Sequence, residues 1–297
     1  MQIAANGVSI EVDDQGPPGG PPILLLMGLG MQLTGWPDEL VRLLVGRGFR
    51  VIRIDNRDAG LSQGFDTSGR PKLAWATLRY TLHLPVHSPY ALADMAGDAF
   101  GVLDALGLPA AHVCGASMGG MIAQHMAASQ PERVSRLTLI MTTSGARGLP
   151  QPGPRVRVAL LDGRPSGMDD VGAEVTRLMR LFTLIGSPAY RPEPEEFRAR
   201  LTASVRRAWR PAGVARQLIA VAADGDRTPL LARIGVPTRI IHGEADPLIP
   251  VAAGRDLAQR IRDAHADFIA GMGHDLPWQL LPRFADGVRD NAQRASP

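Results

Sequence analysis

Residues 115–119 read Gly-Ala-Ser-Met-Gly, a serine with a glycine two positions away on each side. The G-x-S-x-G pattern builds a sharp strand-to-helix turn, and the context fits it: residues 111–114 have the character of a short strand and 118–129 the spacing of a helix. Glycines at 115 and 119 remove side chains that would collide with the returning backbone, so the Ser117 hydroxyl is held out on a strained turn. A hydroxyl is a poor nucleophile at neutral pH. It needs a histidine base and a carboxylate that orients the base, so the rest of the chain is read for both.

Two later loops supply them. His242-Gly243-Glu244-Ala245-Asp246-Pro247 follows an expected strand at 238–242, and Gly271-Met272-Gly273-His274 follows another at 266–270. Both loops leave the C-terminal ends of strands, the edge where open α/β sheets bind ligands. Ser117, Asp246 and His274 are therefore expected to converge as nucleophile, orienting acid and base; Glu244 and Asp226 are the alternative acids. Acyl transfer also needs donors for the developing oxyanion. One is the Met118 amide, at a helix start. The other is the Leu29 amide, preferred over Gly30 because it follows directly on Gly28. Gly28, Trp36, Met121 and Trp278 are the candidate substrate contacts. Met27, Met31, Met118, Met121 and Met272 all fall beside the expected site, which suits an adaptable apolar acyl pocket and equally suits core filling.

Other chemistries fit less well. Neither glycine cluster reads G-x-G-x-x-G, and no P-loop lysine follows, so a phosphate-binding turn is disfavoured. His83 and His87 are separated by Pro85 and do not share a helical face, so they are not read as a metal pair. Cys114 reads as a buried strand residue, and as a lone cysteine it excludes an internal disulfide. No metal or organic cofactor is expected.

The elements that must position these residues alternate. Strands are expected at 8–12, 23–27, 49–54, 111–114 and 134–141, with helices at 37–45, 91–106 and 118–129. From 144 to 228 the strand pattern stops, and turns rich in Pro and Arg separate helices near 169–184, 194–209 and 214–223. The rhythm then resumes with a strand at 238–242, a helix at 251–261, a strand at 266–270 and a helix from 277. The expected organisation is a core over 1–143 and 229–297 interrupted by a helical insertion over 144–228. Residues 55–62, Asp-Asn-Arg-Asp-Ala-Gly-Leu-Ser, are read as a self-bonded loop supporting the oxyanion region.

The 297 residues and 45% apolar content are ample for a sizeable core. No apolar run approaches the roughly 18 residues of a membrane span, and no secretory signal is read, so a cytoplasmic location is expected. A formal charge of +3, with basic residues scattered, disfavours nucleic acid as a partner. Lys72 is the only lysine, a bias that fits a GC-rich bacterial coding sequence. The expected partner is a small-molecule substrate, and the expected state a monomer or small homo-oligomer.

With these motifs in hand, the chain resembles the α/β-hydrolase-fold serine hydrolases along essentially its whole length. More closely, Leu26-Met27-Gly28 through Gly35-Trp36-Pro37, the 55–62 segment, Gly115 to Gly119 and Gly271 to His274 resemble the bacterial aclacinomycin methylesterase group of esterases. The resemblance implies a mostly parallel sheet with helices on both faces, a helical cap inserted after the sixth strand, and hydrolysis of small to medium, fairly apolar carboxylic esters through an acyl-serine. Lactonases, carbon–carbon bond hydrolases and cofactor-free perhydrolases carry the same set of residues, and a non-catalytic binding module is the remaining alternative. Many family members have His-Gly in the oxyanion loop. Here Met27 precedes Gly28, which leaves the backbone donor in place.

Overall fold

The computed structural model describes residues 1–69, 71–161 and 170–294. Its elements run β1 (Gln2–Ala5), β2 (Val8–Gln15), β3 (Pro22–Leu26), α1 (Asp38–Gly46), β4 (Arg50–Ile54), α2 (Leu73–Thr81), α3 (Leu92–Ala105), β5 (Ala111–Ala116), α4 (Met118–Ser129) and β6 (Val134–Ile140). Then come α5 (Pro154–Leu161), α6 (Val171–Ile185), α7 (Pro194–Arg207), α8 (Pro211–Asp224), α9 (Thr228–Leu231), β7 (Thr238–Gly243), α10 (Ala252–Arg260), β8 (His265–Ile269) and α11 (Leu281–Gln293).

All eight strands join one sheet in the order β1-β2-β4-β3-β5-β6-β7-β8. Strands β4, β3, β5, β6, β7 and β8 are mutually parallel, β2 runs antiparallel to β4, and β1 runs antiparallel to β2. A parallel strand covered on both faces needs apolar residues on both, which is why β3 reads as an unbroken run. Leu24 and Leu26 pack with α3 and α4 on one face, while Ile23 and Leu25 pack with α1 and α11 on the other. Helix α11 buries Leu281, Phe284, Ala285 and Val288, the i, i+3, i+4, i+7 stripe of a helix lying on a sheet.

The helices α5 to α9 lie between the sixth and seventh strands. Two of them, α6 and α7, share a separate small cluster around Val175, Leu201 and Val205. Ala220 of α8 and Leu231 of α9 instead belong to the main core. At about 1.5–3 kcal/mol per fully buried aliphatic side chain, three such residues hold α6 and α7 together only modestly. Polar ties to the core therefore matter for this segment. Gln32 donates to the Ser204 and Ala208 carbonyls at 2.7 and 2.9 Å, and Arg207 reaches Gln32 and Asp55 at 2.6 and 2.7 Å.

Several elements depart from expectation. Strand β1 and helix α2 were not anticipated, β2 runs on to Gln15, and α5 and α9 add to the three helices expected between β6 and β7. Residue 169, the expected start of one helix, and residues 295–297 at the chain end lie outside the described residues. Strand β1 is short and mostly uncovered, and α2 buries only Ala76. Neither carries the apolar stripe by which an element is recognised in sequence.

Candidate active site

Strand β5 ends at Ala116 and α4 begins at Met118, so Ser117 alone makes the turn, with φ 54° and ψ −119°. Positive φ in a residue with a Cβ is strained, and the surroundings enforce it here. The Ser117 amide donates to the Ile140 carbonyl at 3.0 Å, and its carbonyl accepts from Thr142 Oγ1 at 2.7 Å. A Cβ on Gly115 would strike the Gly119 carbonyl, and one on Gly119 would strike the Leu26 carbonyl. Both glycines are required by packing as well as by the turn.

His274 Nε2 lies 3.0 Å from Ser117 Oγ, and His274 Nδ1 lies 2.7 Å from Asp246 Oδ2. Both separations are within the range for direct proton transfer. In the tautomer in which Nδ1 donates to Asp246, Nε2 is the acceptor that faces the Ser117 hydroxyl. Asp246 and His274 are buried, at 5% and 7% exposure. Asp246 Oδ1 accepts the Leu248 and Ile249 amides, each at 2.8 Å, which fixes the carboxylate plane. The alternative acids stand elsewhere: Glu244 is exposed near Arg255, and Asp226 accepts the Thr228 amide.

Behind Asp246 sits His242, wholly buried, with Nε2 3.7 Å from Asp246 Oδ2 and 2.8 Å from the Ile249 carbonyl. Burial drives its pKa down, against the opposing pull of the Ile249 carbonyl and Asp246. Lowered in this way, His242 is neutral beside the carboxylate near pH 7. Asp275, next after His274, is pushed up by burial, while hydrogen bonds from Ser187 pull the other way. Ser187 also accepts the Gly273 amide at 2.8 Å, and the His274 amide donates to the Ile185 carbonyl at 2.7 Å. The histidine loop is therefore bonded to the end of α6.

The turn after β3 faces the serine. A Cβ on Gly28 would come within 3.1 Å of Ser117 Cβ and 3.5 Å of its Oγ, so any side chain there would push the two apart by a few tenths of an ångström. The Met118 amide opens α4, where the helix leaves its first amides without internal partners. Asn56 Nδ2 donates to the Met27 carbonyl at 2.9 Å and steadies the strand end.

The remaining candidates are placed differently. Trp36 is wholly buried in the core with α1 and α11 and presents no surface to a ligand. Met121 packs in the core with α3, and Trp278, 61% exposed, stands on the surface. Met27, Met118 and Met272 are likewise core residues. The 55–62 loop does bond to itself: Asp55 Oδ2 accepts the Leu61 amide at 2.8 Å, and Ser62 Oγ donates to the Asp55 carbonyl at 2.5 Å. Sequence reasoning missed its ties to distant arginines. Arg216 of α8 makes two 2.7 Å bonds to Asp58, and within the core Arg57 makes two 2.6 Å bonds to Asp98. Burial tends to raise the Asp58 pKa, but Arg216, the Phe65 amide and Tyr90 together hold it below the usual carboxylate range. Cys114 is buried, which pushes its thiol pKa up and leaves it unreactive. His83 and His87 are both exposed beyond α2.

Comparison with known proteins agrees with this architecture. The family model described as alpha/beta hydrolase fold matches residues 21–279. The chain is 31% identical to rhodomycin D methylesterase DauP of Streptomyces sp. (strain C5), covering 99% of this chain and 98% of that one. It is 27% identical to a 2-hydroxy-6-oxononadienedioate/2-hydroxy-6-oxononatrienedioate hydrolase of Pseudomonas sp., over 93% of this chain and 89% of the relative. Among solved structures, an esterase from Exiguobacterium antarcticum superposes with a TM-score of 0.76 at 21% identity, covering 99% of each chain. A model match across most of the chain and a full-length relative above 30% identity lead to one conclusion: this chain belongs to the α/β-hydrolase fold family.

Proposed function

We propose that the protein is a carboxylic ester hydrolase that works through a covalent acyl-Ser117. The observation that carries this reading is the hydrogen-bonded series from Ser117 Oγ to His274 to Asp246, at 3.0 and 2.7 Å, at the C-terminal edge of a parallel sheet. His274 Nε2 takes the hydroxyl proton as Ser117 Oγ bonds to the acyl carbon. The carbonyl electron pair moves onto oxygen, where the Leu29 and Met118 amides receive it. Asp246 keeps the imidazole in the productive tautomer and stabilises the imidazolium. Collapse expels the alcohol, which takes its proton from His274. Water, deprotonated by His274, then attacks the acyl carbon, and the acyl–Oγ bond breaks as Ser117 Oγ takes the proton back from His274, releasing the acid.

In this reading residues 144–228 form a cap over a core of 1–143 and 229–297, and substrate choice resides largely in the cap. Similarity to a methylesterase favours small to medium, fairly apolar esters. Carbon–carbon bond hydrolysis is the second reading, favoured by the similarity to the Pseudomonas sp. hydrolase, and the same three residues would serve it. The test is turnover of a p-nitrophenyl ester series from acetate to decanoate beside Ser117→Ala. The variant is expected to lose roughly 10⁴- to 10⁶-fold. A residual rate within tenfold of the parent removes Ser117 from the mechanism. Absence of ester turnover in both proteins moves the reading to the carbon–carbon alternative.

A further inference from the structure

We infer that Gln217, on helix α8 of the inserted segment, is a positioning residue that selects the Leu29 amide as oxyanion donor by occupying the neighbouring Gly30 amide. This inference rests on the ester-hydrolase reading above and extends it to a residue 187 positions along the chain from the loop it controls.

Three consecutive amides follow the close approach at Gly28, and a turn of this kind can rotate to present a different one. Two are committed. The Gly30 amide donates to Gln217 Oε1 at 2.8 Å, and the Met31 amide donates to the Gly28 carbonyl at 3.1 Å. The Leu29 amide has no acceptor among the described residues. Gln217 is wholly buried, and its Nε2 donates to the Arg57 carbonyl at 2.7 Å. Both ends of the amide are thus used, and a flip would set donor against donor at Gly30 and acceptor against acceptor at Arg57. Gln217 therefore reads the rotation of the turn rather than filling space.

The helix that carries it cannot drift. Arg216, the preceding residue, is clamped to Asp58, and Gly213 packs so closely on the Asp58 carbonyl that a Cβ there would collide with it. Val214 lies against Gly30 on the side a Cβ would occupy, and Gly30 itself has φ +68°, a conformation that favours glycine. The first two turns of α8 are wedged between the oxyanion turn and the 55–62 loop. The position of the inserted helix and the direction of the Leu29 amide are one structural variable.

The primary experiment uses the parent protein, labelled with ¹⁵N at leucine and glycine, and an alkylphosphonate p-nitrophenyl ester that displaces nitrophenolate to phosphonylate Ser117. The expected result is a large downfield shift of the Leu29 amide proton in the adduct, with the Gly30 amide unmoved. A shift at Gly30 in place of Leu29 overturns the inference. If no adduct forms at Ser117, it is the ester-hydrolase reading that fails. The second experiment is Gln217→Met, which keeps the side-chain length and loses both bonds. Its kcat on p-nitrophenyl butyrate is expected to fall about 10²-fold with KM changed less than threefold, since an oxyanion donor acts in the transition state. A kcat within threefold of the parent contradicts the assignment. If this variant does not fold, the amide shifts in the parent decide the matter alone.

Discussion

Asp246 meets His274 through Oδ2 alone, because its other oxygen is held by two backbone amides two and three residues along the chain. The carboxylate is therefore oriented by its own loop before the histidine arrives. Asp246→Asn keeps its oxygen on the Leu248 and Ile249 amides and turns its NH₂ toward His274 Nδ1. That donor forces the imidazole proton onto Nε2, where it blocks acceptance from Ser117. The expected loss is about 10⁴-fold in kcat with a melting temperature close to the parent's. Steady-state kinetics beside a thermal melt checks both, and a kcat within tenfold would show that the tautomer does not depend on Asp246.

Gly28→Ala tests the closeness of the turn after β3 to Ser117. The added methyl would sit 3.1 Å from Ser117 Cβ, tighter than ordinary contact, so the turn must retreat by a few tenths of an ångström. Activity is expected to drop about 10²-fold while the global fold is retained. Turnover of p-nitrophenyl acetate together with a circular-dichroism melt reads this out.

Arg216→Met leaves the buried Asp58 carboxylate without its main partner. Breaking such a pair costs roughly 3–5 kcal/mol, whereas removing both charges costs much less. Urea unfolding of Arg216→Met, Asp58→Leu and the double variant should show the double variant recovering at least half of the stability lost in Arg216→Met. Additive losses would mean the two residues act separately.

The three side chains that meet at the sheet edge were legible in the sequence because their patterns are local. A serine between two glycines, and an Asp and a His each just past a strand, announce themselves because turn, strand and loop are all written within a few residues. What joins distant segments was not legible. Gln217 meets Gly30 across 187 positions and Arg216 meets Asp58 across 158, and no local pattern marks either pair. Trp36 and Trp278 show a related limit. Both lie near site residues along the chain, yet one side chain points into the core and the other to the surface, because proximity in sequence does not fix direction. Helix α2 was missed because Trp75 and Leu78 face outward, so its apolar residues do not trace a buried stripe.

His112 predicts a pH dependence of stability. It is buried on β5, bonded through Nε2 to Thr138 Oγ1 at 2.8 Å, and its pKa is pushed down to about 3 by burial and by Arg136. The unfolded chain takes up a proton near pH 6.5 and the folded protein does not until about pH 3. Stability from this group is present above pH 6.5 and falls as the pH drops toward 3. Between pH 7.5 and 5 the loss is about 2 kcal/mol from His112. In His112→Leu that part of the slope should vanish, leaving the like-signed contribution of His242. Urea unfolding at the two pH values checks this, and an unchanged slope would mean that His112 takes up its proton in the folded state.

As the proposed nucleophile, Ser117 should be the one site of stoichiometric phosphonylation. Activity should fall linearly to zero at one equivalent of an alkylphosphonate p-nitrophenyl ester, with the added mass on the peptide that contains Ser117 and none on Ser117→Ala. Full activity with Ser117 modified, or loss of activity with the label on another residue, would exclude Ser117 as the nucleophile.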